Sequence, residues 1–230
     1  MLFLISAPSG SGKSTLVNRI RSLVKGLDFS VSYTTRAPRG SERDGLEYHY
    51  TSPEEFQKMI DRGEFLEWAN VFGHYYGTAA RSLTDARAAG KDLLLDIDVQ
   101  GAAQVRERVP DAVSIFVLPP NPEVLATRLR SRSMAEGTNR AGEVDRRLAK
   151  AREEIENYRQ YRYILVNDAL DHAVEDLSAI IFAERLQHEG RPVDAEAARL
   201  IEIAEHCRQS KATDRLRPVL RSFGLPDRDA

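Results

Sequence analysis

Ser6 to Thr15 read SAPSGSGKST, and within that run Gly10, Gly12, Lys13 and Ser14 form a set able to hold a nucleotide polyphosphate. Two glycines let backbone N–H groups turn inward around phosphate oxygens; a lysine reaches the outer phosphates, and a serine hydroxyl can join the shell of Mg²⁺. The motif G-x-x-x-x-G-K-[ST] carries glycine where this chain has Ala7. That departure costs little if φ stays negative there, because glycine is needed only for positive φ or a very close approach. The candidate loop comprises Ala7, Pro8, Ser9, Gly10, Ser11, Gly12, Lys13, Ser14 and Thr15. A Gly/Ser turn between core elements is the competing reading, and what flanks the loop argues against it.

Three further stretches carry chemistry. Residues 34–50, TTRAPRGSERDGLEYHY, combine three arginines and two tyrosines with little apolar periodicity and read as an exposed loop leading into a short strand. Guanidinium groups at that density suit an anion. Asp96 and Asp98 follow the apolar run DLLLDID, at the carboxyl edge where open α/β sheets bind ligands. For Asp98 the alternative of capping the next helix stays open. Ser131 to Gly142, SRSMAEGTNRAG, is a polar connection between two helical patterns with the composition of a lid.

These groups need elements to position them. MLFLISA is a short apolar run without a basic leader and reads as a buried strand, and STLVNRIRSLVKG continues from the loop as a helix with Gly26 as its stop. Strand, glycine-rich loop and helix is the setting the loop chemistry requires: the helix N-terminus adds its partial positive charge. The runs FSVSYTT, FLEWANV, DLLLDID, AVSIFVL and YILVND alternate with helical patterns, which predicts an α/β fold around a parallel sheet. Ser52-Pro53-Glu54-Glu55 and Asn121-Pro122 mark helix starts, and TAARSLTDARAAG and HAVEDLSAIIFAERLQ read as helices. After Gly190 the chain changes character; residues 190–230 read as a helical tail, a packed helix followed by a frayed end.

The chain has 230 residues, 42% of them hydrophobic, and a net charge of −2. That argues for small anionic ligands rather than for coating nucleic acid. Cys207 is the single cysteine, so internal disulfides and cysteine-rich metal sites are excluded. No apolar stretch approaches the ~18 residues of a membrane span. The expectation is a soluble cytoplasmic protein. Its first residues enter an apolar strand directly, which suggests a slightly longer native start.

Taken in order, SAPSGSGKST, SVSYTTRAPRGSERDGLEYHY, FLEWANVFGHYYGT, LLLDIDVQGA and YILVND resemble the bacterial guanylate kinases over about residues 1–189. The resemblance implies a P-loop NTPase-type parallel sheet flanked by helices, with an inserted acceptor-binding segment at 33–93 and a lid at 130–147. It implies transfer of the ATP γ-phosphoryl group, with Mg²⁺, to GMP or dGMP. Ser32, Glu67 and Thr78 would then read guanine, while Arg36, Arg39, Tyr48 and Tyr76 hold the acceptor phosphate. Asp96 and Asp98 would organise the acceptor, and Asp96 also the water around a metal carried by Ser14. Lys13, Arg36, Arg132 and Arg147 would act on the transferred group, and Asn167 and Asp168 would lie near the donor adenine. Arg132 and Arg147 are matched by their flanking residues across a connection longer than usual, so Arg140 and Arg146 compete for the lid role. No nucleic acid, membrane or obligatory protein partner is expected. Two rivals remain: a non-catalytic guanylate-kinase-like module for phosphorylated peptides, and a P-loop kinase acting on a ribose phosphate. Lys13, Arg36 and Arg39 argue against the first, and the guanine set against the second.

Overall fold

The computed structural model describes residues 1–135 and 142–225. Its elements run β1 (Leu2–Ser6), α1 (Lys13–Leu23), β2 (Leu27–Phe29), β3 (Tyr33–Thr34), β4 (His49–Tyr50), α2 (Pro53–Asp61), β5 (Phe65–Val71), β6 (His74–Ala79) and α3 (Ala80–Ala88). They continue with β7 (Asp92–Asp96), α4 (Val99–Arg108), β8 (Val113–Leu118), α5 (Pro122–Ala135), α6 (Glu143–Ile155), β9 (Tyr163–Val166), α7 (Leu170–Glu189), α8 (Ala195–His206) and α9 (Thr213–Ser222). The strands order as a five-stranded sheet, β2-β7-β1-β8-β9, and a four-stranded sheet, β4-β3-β6-β5. The chain divides into two units: Met1–Leu4 with Lys25–Ala112, and Ile5–Val24 with Val113–Ala230.

In the first unit β2 and β7 pair in parallel, Leu27 opposite Asp92. The three leucines of β7 are all buried, the continuous apolar run of a strand covered on both faces. FSVSYTT does not form one strand. The Ser30 N–H still reaches the Leu94 carbonyl at 3.1 Å, but Tyr33 and Thr34 pair with Gly77 and Tyr76 of the other sheet, so the segment leaves one sheet and enters the next. FLEWANV forms β5 as expected but belongs to the four-stranded sheet and runs antiparallel to β6. The reason is its turn: Phe72 and Gly73 both have positive φ, 53° and 85°, and a two-residue turn of that kind returns the chain as a hairpin. Glu67 stands opposite Thr78, with a register shift between Phe65 and Glu67. The Ser52 hydroxyl caps α2 by accepting the Glu55 N–H at 3.1 Å, and Phe56 of that helix stacks on Phe65 at 4.4 Å to form a small core behind β5.

In the second unit every residue of β8 is buried, and β8 pairs in parallel with β9 from Ile115–Tyr163 to Leu118–Val166. The Asn121 side chain caps α5 as expected, accepting the Val124 N–H at 2.8 Å. Of the expected polar connection at 131–142, Ser131 to Ala135 belong to α5 and α6 begins at Glu143, while residues 136–141 lie outside the described residues. Ser133 is buried, so this last turn of α5 has an inward face that the polar composition concealed. The tail also differs from expectation. Beyond α8 the chain forms α9 and buries Leu216, Val219, Leu220, Phe223 and Leu225 where a frayed end was expected, and residues 226–230 lie outside the described residues. Pro218 within α9 removes one helical hydrogen bond, and burial of its apolar face offsets the loss. Between α8 and α9 the tail lines the outer edge of β9: the Cys207 carbonyl accepts from the Ile164 N–H at 2.8 Å and the Gln209 N–H donates to the Arg162 carbonyl at 2.9 Å. Arg215 adds a bond to the Ile164 carbonyl at 2.7 Å. Among the described residues no helix is long and apolar enough to cross a membrane.

Candidate active site

The phosphate loop lies in the second unit and its shape follows from two glycines. Gly10 and Gly12 have φ of 87° and 86°, the left-handed region that side chains resist. Gly12 precedes α1 without any side-chain cap, so the first N–H groups of that helix are left to face an anion. Ala7 lies outside the positive-φ set, which is why alanine is tolerated there. The Ser11 carbonyl is fixed from behind by the Asn167 amide at 2.7 Å and by Arg128 at 3.1 Å, and Arg128 also donates to the Asn167 carbonyl at 3.1 Å. A methyl group at Gly12 would overlap the Asn167 amide nitrogen. Ser11 Oγ and Asn167 Oδ1 are buried without a hydrogen-bond partner among the described residues, as polar atoms facing a ligand can be.

Lys13 and Ser14 open α1, and Ser14 is exposed. Asn167 is buried against the loop, whereas Asp168 is exposed and accepts the Ala169 N–H at 2.6 Å. Arg132 lies in the last turn of α5 and Arg147 and Arg146 lie on α6; Arg140 is outside the described residues. Arg128, one helical turn before Arg132, went unnoticed in the sequence. Its spacing from Arg132 was the available signal, and burial pulls its guanidinium below the ordinary range.

The first unit holds the arginine and tyrosine cluster. The expected exposed loop is in part buried: Thr34 is fully buried and Arg36 is 6% exposed. Arg36 donates to the Tyr76 hydroxyl at 3.1 Å, the Ala37 carbonyl at 2.7 Å and Glu42 at 3.0 Å. Its charge sits 5.3 Å from the Tyr48 ring, which in turn meets the Tyr76 ring edge-on at 5.7 Å. Burial pulls the Arg36 guanidinium down, but bonds and charge from Glu42 and Tyr76 leave it above its usual range. Burial and the nearby Asp96 charge push the Tyr48 phenol up to about 12, so it is a hydroxyl donor throughout the neutral range.

Glu42 is the second residue that sequence reading missed. Its carboxylate gathers Arg36, the Arg39 N–H at 2.8 Å and the Tyr50 hydroxyl at 2.9 Å. Burial raises it, yet these donors hold it below the usual carboxylate range. A carboxylate three residues after Arg39 and six after Arg36 was the sequence signal, and it was masked by the charge density of the loop.

Three polar residues meet on the four-stranded sheet. Ser32 Oγ and Thr78 Oγ1 are 3.5 Å apart, and Glu67, 3% exposed, pairs with Thr78 across β5 and β6. Asp96 ends β7, and Asp98 caps α4 by accepting the Gly101 N–H at 2.8 Å, the alternative left open above. Thus Ser32, Glu67 and Thr78 form one group, Arg36, Tyr48 and Tyr76 another, and Arg39 joins the second through its backbone bond to Glu42.

A parallel sheet with a glycine-rich loop between β1 and α1 defines a P-loop nucleotide-binding protein. The guanylate kinase family model matches residues 1–184. A guanylate kinase of Koribacter versatilis is 52% identical over 223 residues, 96% of this chain and 95% of that protein. One of Neisseria meningitidis serogroup A is 51% identical over 186 residues, covering 81% and 89%. The crystal structure of guanylate kinase from Anaplasma phagocytophilum superposes with a TM-score of 0.65 at 34% identity, covering 80% of this chain and 85% of that one. The chain belongs to the guanylate kinase family.

Proposed function

We propose that this enzyme transfers the γ-phosphoryl group of ATP to the 5′-phosphate of GMP, and of dGMP, giving ADP and the nucleoside diphosphate. The observation that carries the choice of base is Glu67, a carboxylate buried beside Thr78 and Ser32. A carboxylate accepts from guanine's ring N–H and exocyclic amine, a pair that adenine lacks. Arg36, Arg39, Tyr48 and Tyr76 hold the acceptor phosphate through forked guanidinium and hydroxyl donors. Asp96 and Asp98 border the acceptor. In the second unit Lys13 and the N–H groups of the loop bind the donor phosphates, Asn167 and Asp168 lie toward the adenine, and Arg132 and Arg147 are assigned to the transferred group.

No group of three or more His, Cys, Asp or Glu side chains among the described residues could hold a metal. This fits Mg²⁺, which keeps much of its water and is held by substrate phosphates with one or two protein oxygens, here the Ser14 hydroxyl. When bound with ATP, the ion neutralises phosphate charge. The acceptor phosphate is already ionised and needs no general base. Catalysis therefore consists of in-line positioning and charge stabilisation by Lys13 and the arginines.

Neither a phosphopeptide-binding module nor a ribose-phosphate kinase is favoured. A coupled assay of ADP formation with GMP, with AMP and without acceptor tests the assignment: GMP should outrun AMP by ~10³-fold or more, as buried polar groups reject a base that leaves them unpaired. Equal rates with both bases, or none with GMP, would remove it.

A further inference from the structure

Gly101 is buried in the first turn of α4, and its φ is not among the positive ones. Its backbone is helical, and in a helix alanine is the better residue. The space left by its missing side chain is taken up by Glu67. A methyl group there would overlap Glu67 Oε2, stand 2.9 Å from Cδ of the same carboxylate, and lie 3.4 Å from Asp98 Oδ1. The carboxylate therefore rests directly on the backbone at the N-terminus of α4, where the helix presents positive partial charge to an anion.

Strand and helix cannot separate to make room, because α4 is bonded to β5 on both sides of Glu67. Arg108 donates to the Phe65 carbonyl at 3.0 Å and to the Leu66 carbonyl at 2.6 Å. The Gln104 amide takes both backbone polar groups of Trp68, donating to its carbonyl at 2.6 Å and accepting its N–H at 3.3 Å. The register shift between Phe65 and Glu67 disrupts the ladder to β6 where Arg108 binds. A side chain added at position 101 must consequently be absorbed by the Glu67 carboxylate.

We propose that Gly101 is a specificity-determining positioning residue: having no side chain, it seats the Glu67 carboxylate on the first turn of α4, and this seat sets the preference for guanine over adenine. The proposal rests on the reading of Glu67 as the base-recognising group, and the test separates the two. The kcat/KM for GMP and for AMP, and the KM for ATP, are measured for the parent enzyme, Gly101→Ala, Glu67→Ala and the double variant.

Displacing one carboxylate hydrogen bond in a buried site should reduce the GMP-to-AMP preference of Gly101→Ala by about tenfold or more. The loss should appear mainly in the KM for GMP, with the KM for ATP unchanged. The double variant should match Glu67→Ala, because no carboxylate remains to be moved. A narrowed preference in Glu67→Ala with a parent-like preference in Gly101→Ala overturns the role of Gly101, as do losses that multiply in the double variant. An unaltered preference in Glu67→Ala overturns the reading of Glu67 and the proposal with it. Should Gly101→Ala not fold, the double variant decides: recovery of folding once the carboxylate is gone supports the overlap, and continued failure overturns it.

Discussion

Removing the Glu42 carboxylate by Glu42→Ala isolates one electrostatic element of the acceptor loop. Arg36 is 6% exposed, and Glu42, its ionic partner at 2.9 Å, is 25% exposed. The substitution removes acceptors for three donors: the Arg36 guanidinium, the Arg39 N–H and the Tyr50 hydroxyl. Water can replace Glu42 for Arg39 and Tyr50, which are only half-buried, so their loss counts for little. Arg36 is left charged, buried and short of its anion. Breaking a fully buried pair costs roughly 3–5 kcal/mol, and partial exposure of Glu42 reduces this to about 2–3. For a chain of this length that corresponds to a melting temperature about 4–12 °C lower.

The effect has a pH signature of known sign. Glu42 is held below its ordinary value of 4.5, so its contribution is fully present above that pH and is lost as pH falls through the depressed value. Urea denaturation from pH 7 down to pH 3 should show the gap between parent and Glu42→Ala closing on the acid side. GMP should then stabilise the variant more than the parent, since its phosphate supplies the anion that Arg36 lacks. Equal stability at pH 7, or a gap independent of pH, would refute the assignment of Glu42 as the anchor of Arg36.

Lys13→Ala should lower kcat by ~10²-fold or more with an unchanged melting temperature, the loss typical of a preorganised charge contact; near-parent turnover would remove the loop from the reaction. A chain ending at Asp194 loses Leu216, Val219, Leu220, Phe223 and Leu225 from the core, each worth about 1.5–3 kcal/mol as an upper bound. It should melt far lower while the folded fraction keeps its activity, and selective loss of activity at full stability would assign the tail a direct role. Burial and the Asp176 charge push the Cys207 thiol up to about 12, so a thiol reagent at pH 8 should label it only after urea unfolding. Rapid labelling of the native protein would contradict the packing of the tail.

Local signals made much of this fold legible. The loop, the Ser52 and Asn121 caps and the strands β1, β5, β7, β8 and β9 each follow from patterns a few residues long. Pairing was less accessible. FLEWANV reads as a strand, yet whether it runs parallel or antiparallel is decided by positive φ at Phe72, a backbone state that phenylalanine does not advertise. FSVSYTT has the composition of one strand but divides because its two ends pair with different sheets. In the candidate site, Ser32, Glu67 and Thr78 lie far apart in sequence, and the family resemblance supplied their association. Glu42 and Arg128 stayed hidden because a charged residue among charged residues does not reveal which neighbour it binds. The tail was underread because Pro218 and Gly224 suggested an end, while the helical spacing of Leu216, Val219 and Leu220 was the stronger signal.

The seal on β9 sets an order of events during synthesis. Ile164 and Arg162 are translated more than forty residues before Cys207 and Gln209, which satisfy their outward backbone groups. A nascent chain that has already made β8 and β9 therefore carries an open strand edge until the segment between α8 and α9 emerges, and an open edge is a template for pairing with another chain. Slow translation or premature termination between α7 and α9 would lengthen that interval. Yield of soluble protein should then depend on temperature and on the codons for α8 and α9, a region without any proposed contact to substrate.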